Sequence, residues 1–368
     1  MKVITHFLLL LLLASCSPRK ENTDIIIEGE ATGIPDGKLY LVKAEKWRSP
    51  MDSAVCKNGQ FVFRIKTTPS FVPYLAAIHY WNKGDTIHPV RLQFINHTIP
   101  TDDSTGLSRD VFYLEKEHTM ISGPLGSEPY LRISAGRETE LLYKNELTDI
   151  GWMGNADTIL RRQKLLFLQS SVQMHPWSFF LLQSIYDSKE LYSMEELRSL
   201  QSLFDTSVKH SAPGKQLMNY LQVRTDAGLA YPNLLLLTAT DTRQTIIDTT
   251  APLNMLVFWA SWCGPCIKEI PQLKIIHRLY AGKGLRIKSI SIDTNKEAWL
   301  LAMQRHKMDW PQLIIAKEKT EETEHIFNFR SIPFLVFTDN KGTELARFAD
   351  YDEENTKKYK EVIRRYLK

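Results

Sequence analysis

The chain has 368 residues, with 46 Lys and Arg against 42 Asp and Glu, for a formal net charge of +4. At roughly 150 residues per domain this length suggests two or three domains, each able to bury a core. The two signs of charge are evenly mixed, without the basic stripe that nucleic-acid binding requires, so nucleic acid is excluded as a partner.

Met1-Lys2 is a short positive start, Phe7 to Leu13 is almost wholly leucine, and Leu13-Ala14-Ser15-Cys16 closes the run. The apolar stretch is too short to span a membrane, so residues 1–15 read as a signal peptide. Leu13-Ala14-Ser15-Cys16 resembles the bacterial lipobox. The resemblance implies cleavage before Cys16, lipidation of that cysteine, and a tether over residues 16–24 that holds the protein to an envelope membrane. Ser17 to Asn22 contains no acidic run, which favours the periplasmic side. With Cys16 lipidated, Cys56, Cys263 and Cys266 remain: one pair and one leftover. Cys56 lies on an alternating stretch that enters the Asn58-Gly59 turn, where it reads as a small apolar filler without a role.

Residues 25–125 read as an antiparallel, sandwich-like β domain. Ile25 to Ala31, Leu39 to Val42, Gln60 to Ile65, Tyr74 to Ile78, Val90 to Ile95, Val111 to Leu114 and Thr119 to Ile121 are strand candidates joined by turn residues. This grammar resembles the small β-domain of unknown function that precedes envelope thioredoxin-like domains. Gly33-Ile34-Pro35-Asp36-Gly37-Lys38 is a turn, since its glycines are too close for a phosphate loop and Leu39 replaces the hydroxyl residue. Asn96-His97-Thr98 reads as loop. From about Arg137 the texture becomes helical, and residues 126–228 are expected to form a helical segment. Its signals are the apolar positions Leu141, Leu160 and Leu165, the Pro176 start, the capping box Ser193-Met194-Glu195-Glu196, and a helix from Pro213 ending near Gly228. His175 and His210 have no partner at metal-ligand spacing and read as surface or capping residues.

Residues 229–368 alternate between strands and helices. Leu234 to Leu237 and Thr245 to Ile247 precede the continuous apolar run Leu253 to Trp259; Ile267 to Tyr280 has helical spacing; Leu285 to Asp293 alternates as a strand. A helix over Lys296 to His306, the short strand Gln312 to Ile315 and a helix over Glu321 to Phe329 follow. Phe334 to Phe337, the turn Asp339-Asn340-Lys341-Gly342 and Thr343 to Phe348 make a closing hairpin, and Glu353 to Leu367 a last helix. The pattern is that of an α/β domain, and its closing hairpin and helix resemble those of a thioredoxin-like fold.

Between the run at 253–259 and the helix lies Trp262-Cys263-Gly264-Pro265-Cys266. Strand, turn with Cys-x-x-Cys, then helix is the context of a redox dithiol, because unpaired N–H groups and the positive dipole end at a helix start favour the thiolate. A structural or zinc-binding pair would want a second Cys-x-x-Cys or a histidine pair, and neither is present. Phe258 to Cys266 resembles a thioredoxin active site, and Arg330-Ser331-Ile332-Pro333-Phe334 matches that family's loop. The resemblance implies a cis Pro333 facing the dithiol, with the Ile332 backbone and Trp262 holding substrate. The long separation of Cys266 from Pro333, with Leu285 to His306 read as an insertion, and Glu269-Ile270-Pro271 point to the membrane-anchored TlpA/ResA-like branch. There a glutamate at the position of Glu269 assists proton movement. Val257 stands where thioredoxin carries a buried aspartate, so proton handling is left to Glu269, water or neither.

The expected chemistry is reduction of protein disulfides: Cys263 attacks, and Cys266 resolves the mixed disulfide. Gly264-Pro265 matches the reducing thioredoxin dipeptide, whose potential is about −270 mV. The implied partners are disulfide-containing envelope proteins and an unidentified thiol electron donor, with no cofactor and no metal. The rival readings are a peroxiredoxin-like peroxidase, which lacks its cysteine motif here, and a non-enzymatic envelope lipoprotein binding a partner through its β domain.

Overall fold

The computed structural model describes residues 24–367, apart from residues 86, 97–108, 127–129, 154–156 and 226–228. The signal peptide, Cys16, nearly all of the tether, the His97-Thr98 part of the Asn96 triplet and the predicted helix end at Gly228 lie outside the described residues. Two compact units divide the chain, Met1–Thr148 and Asp149–Lys368. No helix among the described residues is long and apolar enough to cross a membrane.

The first unit is built from β1 (Asp24–Glu30), β2 (Gly37–Lys43), β3 (Pro50–Cys56), β4 (Gln60–Lys66), β5 (Tyr74–Trp81), β6 (Pro89–Arg91), β7 (Phe94–Asn96), β8 (Phe112–Leu114), β9 (Thr119–Ser122), β10 (Leu131–Ser134) and α1 (Arg137–Leu142). One sheet runs β4-β1-β9-β10-β7; the other runs β3-β2-β5-β6, with β8 also on β5. Ile25 and Ile27 are fully buried while Ile26 between them and Glu28 after them are half-buried, the period-two signature of a strand with one inner face. Asn58 and Gly59 both take positive φ and close the turn between β3 and β4.

Three expectations for this region are corrected. The first sheet is mixed, because β1 pairs with β9 and β10 with β7 in parallel. The single strand predicted over Val90 to Ile95 is two, with β6 on β5 and β7 on β10, so the chain changes sheets within it. The unit also extends past 125: β10 and α1 fall within the stretch expected to be purely helical. Four residues of β10 are too few for periodicity to register, whereas its pairing with β9 and β7 buries Leu131 and Ile133 completely.

The second unit opens with α2 (Thr158–Met174), α3 (Phe179–Asp187), α4 (Met194–Ser202), α5 (Thr206–Lys209) and α6 (Ala212–Val223). Asp157, Ser178, Ser193 and Ser211 cap α2, α3, α4 and α6 through side-chain oxygens that accept backbone N–H bonds, and Ser193 and Glu196 complete a capping box. There follow β11 (Leu235–Thr238), β12 (Arg243–Thr245), β13 (Leu253–Trp259), α7 (Gly264–Tyr280), β14 (Leu285–Ser291), α8 (Lys296–His306), β15 (Gln312–Ile314), α9 (Thr320–Phe327), β16 (Phe334–Thr338), β17 (Glu344–Ala349) and α10 (Asn355–Tyr366).

These strands form one sheet in the order β12-β11-β15-β14-β13-β16-β17. All seven residues of β13 are buried, since it lies between β14 in parallel and β16 in antiparallel pairing. A strand covered on both faces reads as a continuous apolar run rather than an alternating one. Its alternate residues serve two cores: Met255, Val257 and Trp259 pack with Ile270 and Leu273 of α7 and Tyr359 of α10, whereas Leu256 and Phe258 pack with Ile326 and Phe327 of α9. The segment from Leu285 to His306, expected as an insertion, supplies β14, which pairs with β13 along all of β13.

Candidate active site

The dithiol sits where β13 hands over to α7. Cys263 is the N-cap of α7, and its Sγ accepts a hydrogen bond from Cys266 N at 3.1 Å. The two cysteines are joined as a disulfide. Cys263 is 5% and Cys266 3% exposed, while the neighbouring Trp262 is 68% exposed. Once the disulfide is reduced, a thiolate on Cys263 stands at the positive end of the helix with a backbone N–H already directed at it, an arrangement that favours the charged sulfur.

Across from the disulfide, the Ile332–Pro333 peptide bond is cis. Cys263 Sγ lies 3.5 Å from Ile332 O. In the disulfide that sulfur has no proton to donate; reduced, it gains one and a waiting acceptor. Between these parts opens a cleft of about 460 Å³ lined by Trp262, Cys263, Gly264, Pro265, Ile292, Glu324, Phe329, Arg330, Ser331 and Ile332. The Arg330 guanidinium carbon stands 4.9 Å from the centroid of the Trp152 ring. Glu324 is half-buried, and burial, with Glu321 and Glu190 adding to it, holds its carboxyl above the ordinary value.

Glu269 lies one helical turn beyond Cys266 but is not among the residues lining the cleft. It is 1% exposed, so it is not a solvated surface glutamate. Its Oε1 accepts from the Tyr359 hydroxyl and from Asn355 Nδ2 at 3.2 Å, both on α10. Burial pushes the carboxyl above the ordinary glutamate value, and the two hydrogen bonds oppose that rise. The Asn355 amide also donates to Asp350 O at 3.3 Å, and Asp350 N donates to Pro333 O at 3.0 Å. One short relay therefore runs from the carboxyl on α7 to the backbone of the cis proline. Val257 is 2% exposed in the apolar core, with no carboxyl at that position.

Sequence reasoning did not reach Asn355, Tyr359, Glu324 or Asp293. Asn355 and Tyr359 meet Glu269 from the far end of the domain, which no local pattern signals. Asp293 had one signal, a carboxylate at the end of the strand expected over Leu285 to Asp293. Cys56 is buried at the end of β3 with its thiol pushed up by burial. His175 and His210 occupy the C-cap positions of α2 and α5. Among the described residues no group of three or more His, Cys, Asp or Glu is placed to hold a metal ion.

Residues 252–344 match the family model described as thioredoxin-like. The thiol-disulfide oxidoreductase ResA of Oceanobacillus iheyensis is 26% identical over 88 residues, covering 24% of this chain and 44% of that protein. The sporulation thiol-disulfide oxidoreductase A of Bacillus subtilis is 22% identical over 136 residues, covering 36% of this chain and 81% of that protein. Among solved structures, the thioredoxin domain of a thiol-disulfide oxidoreductase from Bacteroides vulgatus is similar with a TM-score of 0.35 at 22% identity, covering 38% of this chain and 99% of that one. The chain thus spans less than half the length of the Oceanobacillus relative.

Proposed function

We propose that this chain, a TlpA/ResA-like thioredoxin-family protein in its C-terminal domain, is a thiol-disulfide oxidoreductase that reduces protein disulfides in the bacterial envelope. The observation that carries this reading is the placement of Cys263: capping α7, receiving Cys266 N at 3.1 Å, and facing Ile332 O at 3.5 Å across an open cleft.

The Cys263 thiolate attacks one sulfur of a client disulfide, and the client's other sulfur leaves as a thiolate that takes a proton from water. Cys266, deprotonated, then attacks Cys263 Sγ in the mixed disulfide; the client's second sulfur departs as a thiolate that takes a proton from water, and the Cys263–Cys266 disulfide forms. The client gains two electrons and two protons, and the enzyme's dithiol supplies the electrons. Trp262 and the Ile332–Pro333 backbone hold the client segment over Cys263. Glu269 accepts the Cys266 proton, its affinity for that proton raised by burial. An external thiol donor restores the dithiol. Cys16 carries the lipid that keeps the protein at the periplasmic face of a membrane.

The test is a full-length Cys266→Ser variant expressed in the envelope. A specific set of proteins held on Cys263 by reducible bonds is expected, and its absence over a range of redox conditions would remove the reductase reading. Loss of membrane association in Cys16→Ala checks the tether.

A further inference from the structure

Behind the dithiol turn sits a buried carboxylate that the chemistry above does not use. Asp293 follows β14 and is 3% exposed. Its Oδ2 accepts from Ser261 N at 2.8 Å and from the Ser291 hydroxyl at 2.7 Å, and its Oδ1 accepts from the Ser261 hydroxyl at 2.7 Å. Asp293 N in turn donates to Ser291 Oγ at 2.9 Å, so the carboxylate is itself fixed in place. The preceding residue, Ile292, donates its N–H to Trp259 O at 3.0 Å and lines the cleft.

The turn from Ala260 to Trp262 belongs to neither β13 nor α7, and so has no ladder of its own to hold it. Its backbone bond on the nucleophile side is Cys263 N to Ala260 O at 3.1 Å, which closes the turn but does not attach it to the sheet. Attachment comes from Asp293, which takes both the N–H and the hydroxyl of Ser261, two residues before Cys263. Two short hydrogen bonds from one residue to one carboxyl define a direction as well as a distance. The same stretch of backbone, Ile292-Asp293, therefore sets one wall of the cleft and the approach of the nucleophile to it.

We propose that Asp293 is a positioning residue: by clamping Ser261 it aligns Cys263 with the client segment held along Ile292 and Ile332, and so governs attack on cleft-bound disulfides rather than the intrinsic reactivity of the thiol. The proposal rests on the reductase reading for its consequence, but the clamp can be read without it. An error of about 1 Å in the approach of a reacting atom is enough to cost up to about a hundredfold in rate.

The test compares Asp293→Asn, Ser261→Ala and Ser261→Thr in the full chain, with oxidised insulin as the probe and iodoacetamide alkylation of reduced Cys263 as the reference reaction. Asp293→Asn is expected to lower kcat/KM toward insulin at least about tenfold while alkylation stays within about twofold, because a small reagent needs no alignment. Ser261→Ala should lose less and Ser261→Thr, which keeps the hydroxyl, should recover most of the rate. Equal insulin reduction by all three variants and the native chain would overturn the proposal, as would a parallel fall in alkylation. Should Asp293→Asn fail to fold, the Ala and Thr variants at 261 decide in the same way. A native chain inert toward insulin removes the reductase reading instead. Amide hydrogen exchange at Ser261 then judges the clamp: faster exchange in the Asp293 variant at unchanged exchange in β13 supports it, and unchanged exchange at Ser261 overturns it.

Discussion

Asn355 Nδ2 donates to Glu269 Oε1 at 3.2 Å, joining the first residue of the last helix to a carboxyl one turn beyond the resolving cysteine. The Tyr359 hydroxyl donates to the same oxygen. The two neutral donors favour the charged form of this buried carboxyl, and burial, the larger influence, raises its proton affinity above the ordinary value.

The first prediction concerns stability against pH. Glu269 has a folded-state proton affinity above its unfolded value, so its contribution to stability is fully present below the unfolded pKa and is lost as pH rises through the folded one. Glu269→Gln removes that loss. The oxidised variant is expected to melt at or above the native chain near pH 8, with the difference closing below about pH 4, where the native carboxyl is protonated in both states. Thermal unfolding of the two proteins across this range checks it; a native chain that stays more stable as pH rises would contradict the sign.

The same substitution should slow turnover. Removing a general base typically costs about a hundredfold or more in the step it serves. Here that step is attack by Cys266, so Glu269→Gln is expected to accumulate mixed disulfide with its client. Tyr359→Phe acts in the opposite sense on the proton: it deletes a donor that favours the charged carboxyl, and the pH profile of the resolving step should move upward. Stopped-flow measurement of client release from the mixed disulfide separates the two variants.

Arg330 stands at the cleft, exposed and stacked on Trp152, and so meets whatever flanks the client cysteine. Arg330→Glu should slow reduction of disulfide peptides with acidic flanks and speed those with basic ones, by about threefold each at low salt, with the effect fading in about 0.5 M salt. Initial rates on matched peptides are the measurement.

Cys56 provides a control. It is 1% exposed with its thiol pushed up by burial, both of which suppress thiolate chemistry. Peptide mapping after iodoacetamide treatment of the folded, reduced chain should find Cys263 modified and Cys56 intact, and unfolding should make Cys56 reactive.

Much of the C-terminal domain was legible because its signals are local. The run at Leu253 to Trp259 is β13 residue for residue, since a strand buried on both faces is apolar at nearly every position; its one polar residue, Asn254, is buried on hydrogen bonds to Asp248 and Asp339. The Asp339 to Gly342 turn joins β16 and β17, where Asp339 Oδ1 accepts from Lys341 N and Thr343 N. Less was legible in the first unit, where strands of three or four residues carry no usable period and their pairing is decided by partners elsewhere in the chain. The parallel pairs β1–β9 and β7–β10 are of that kind.

The sequence by itself determined where a dithiol stands relative to a strand and a helix, because that depends on residues within one turn of Cys263. Which side chains surround it was decided only by the tertiary structure. Glu269 meets α10 across 86 and 90 residues of chain, and Ser261 meets Asp293 across 32. No local period encodes such distances; they exist because one core of the sheet packs α7 and α10 against β13, while the pairing of β14 with β13 brings its end beside the turn that follows β13.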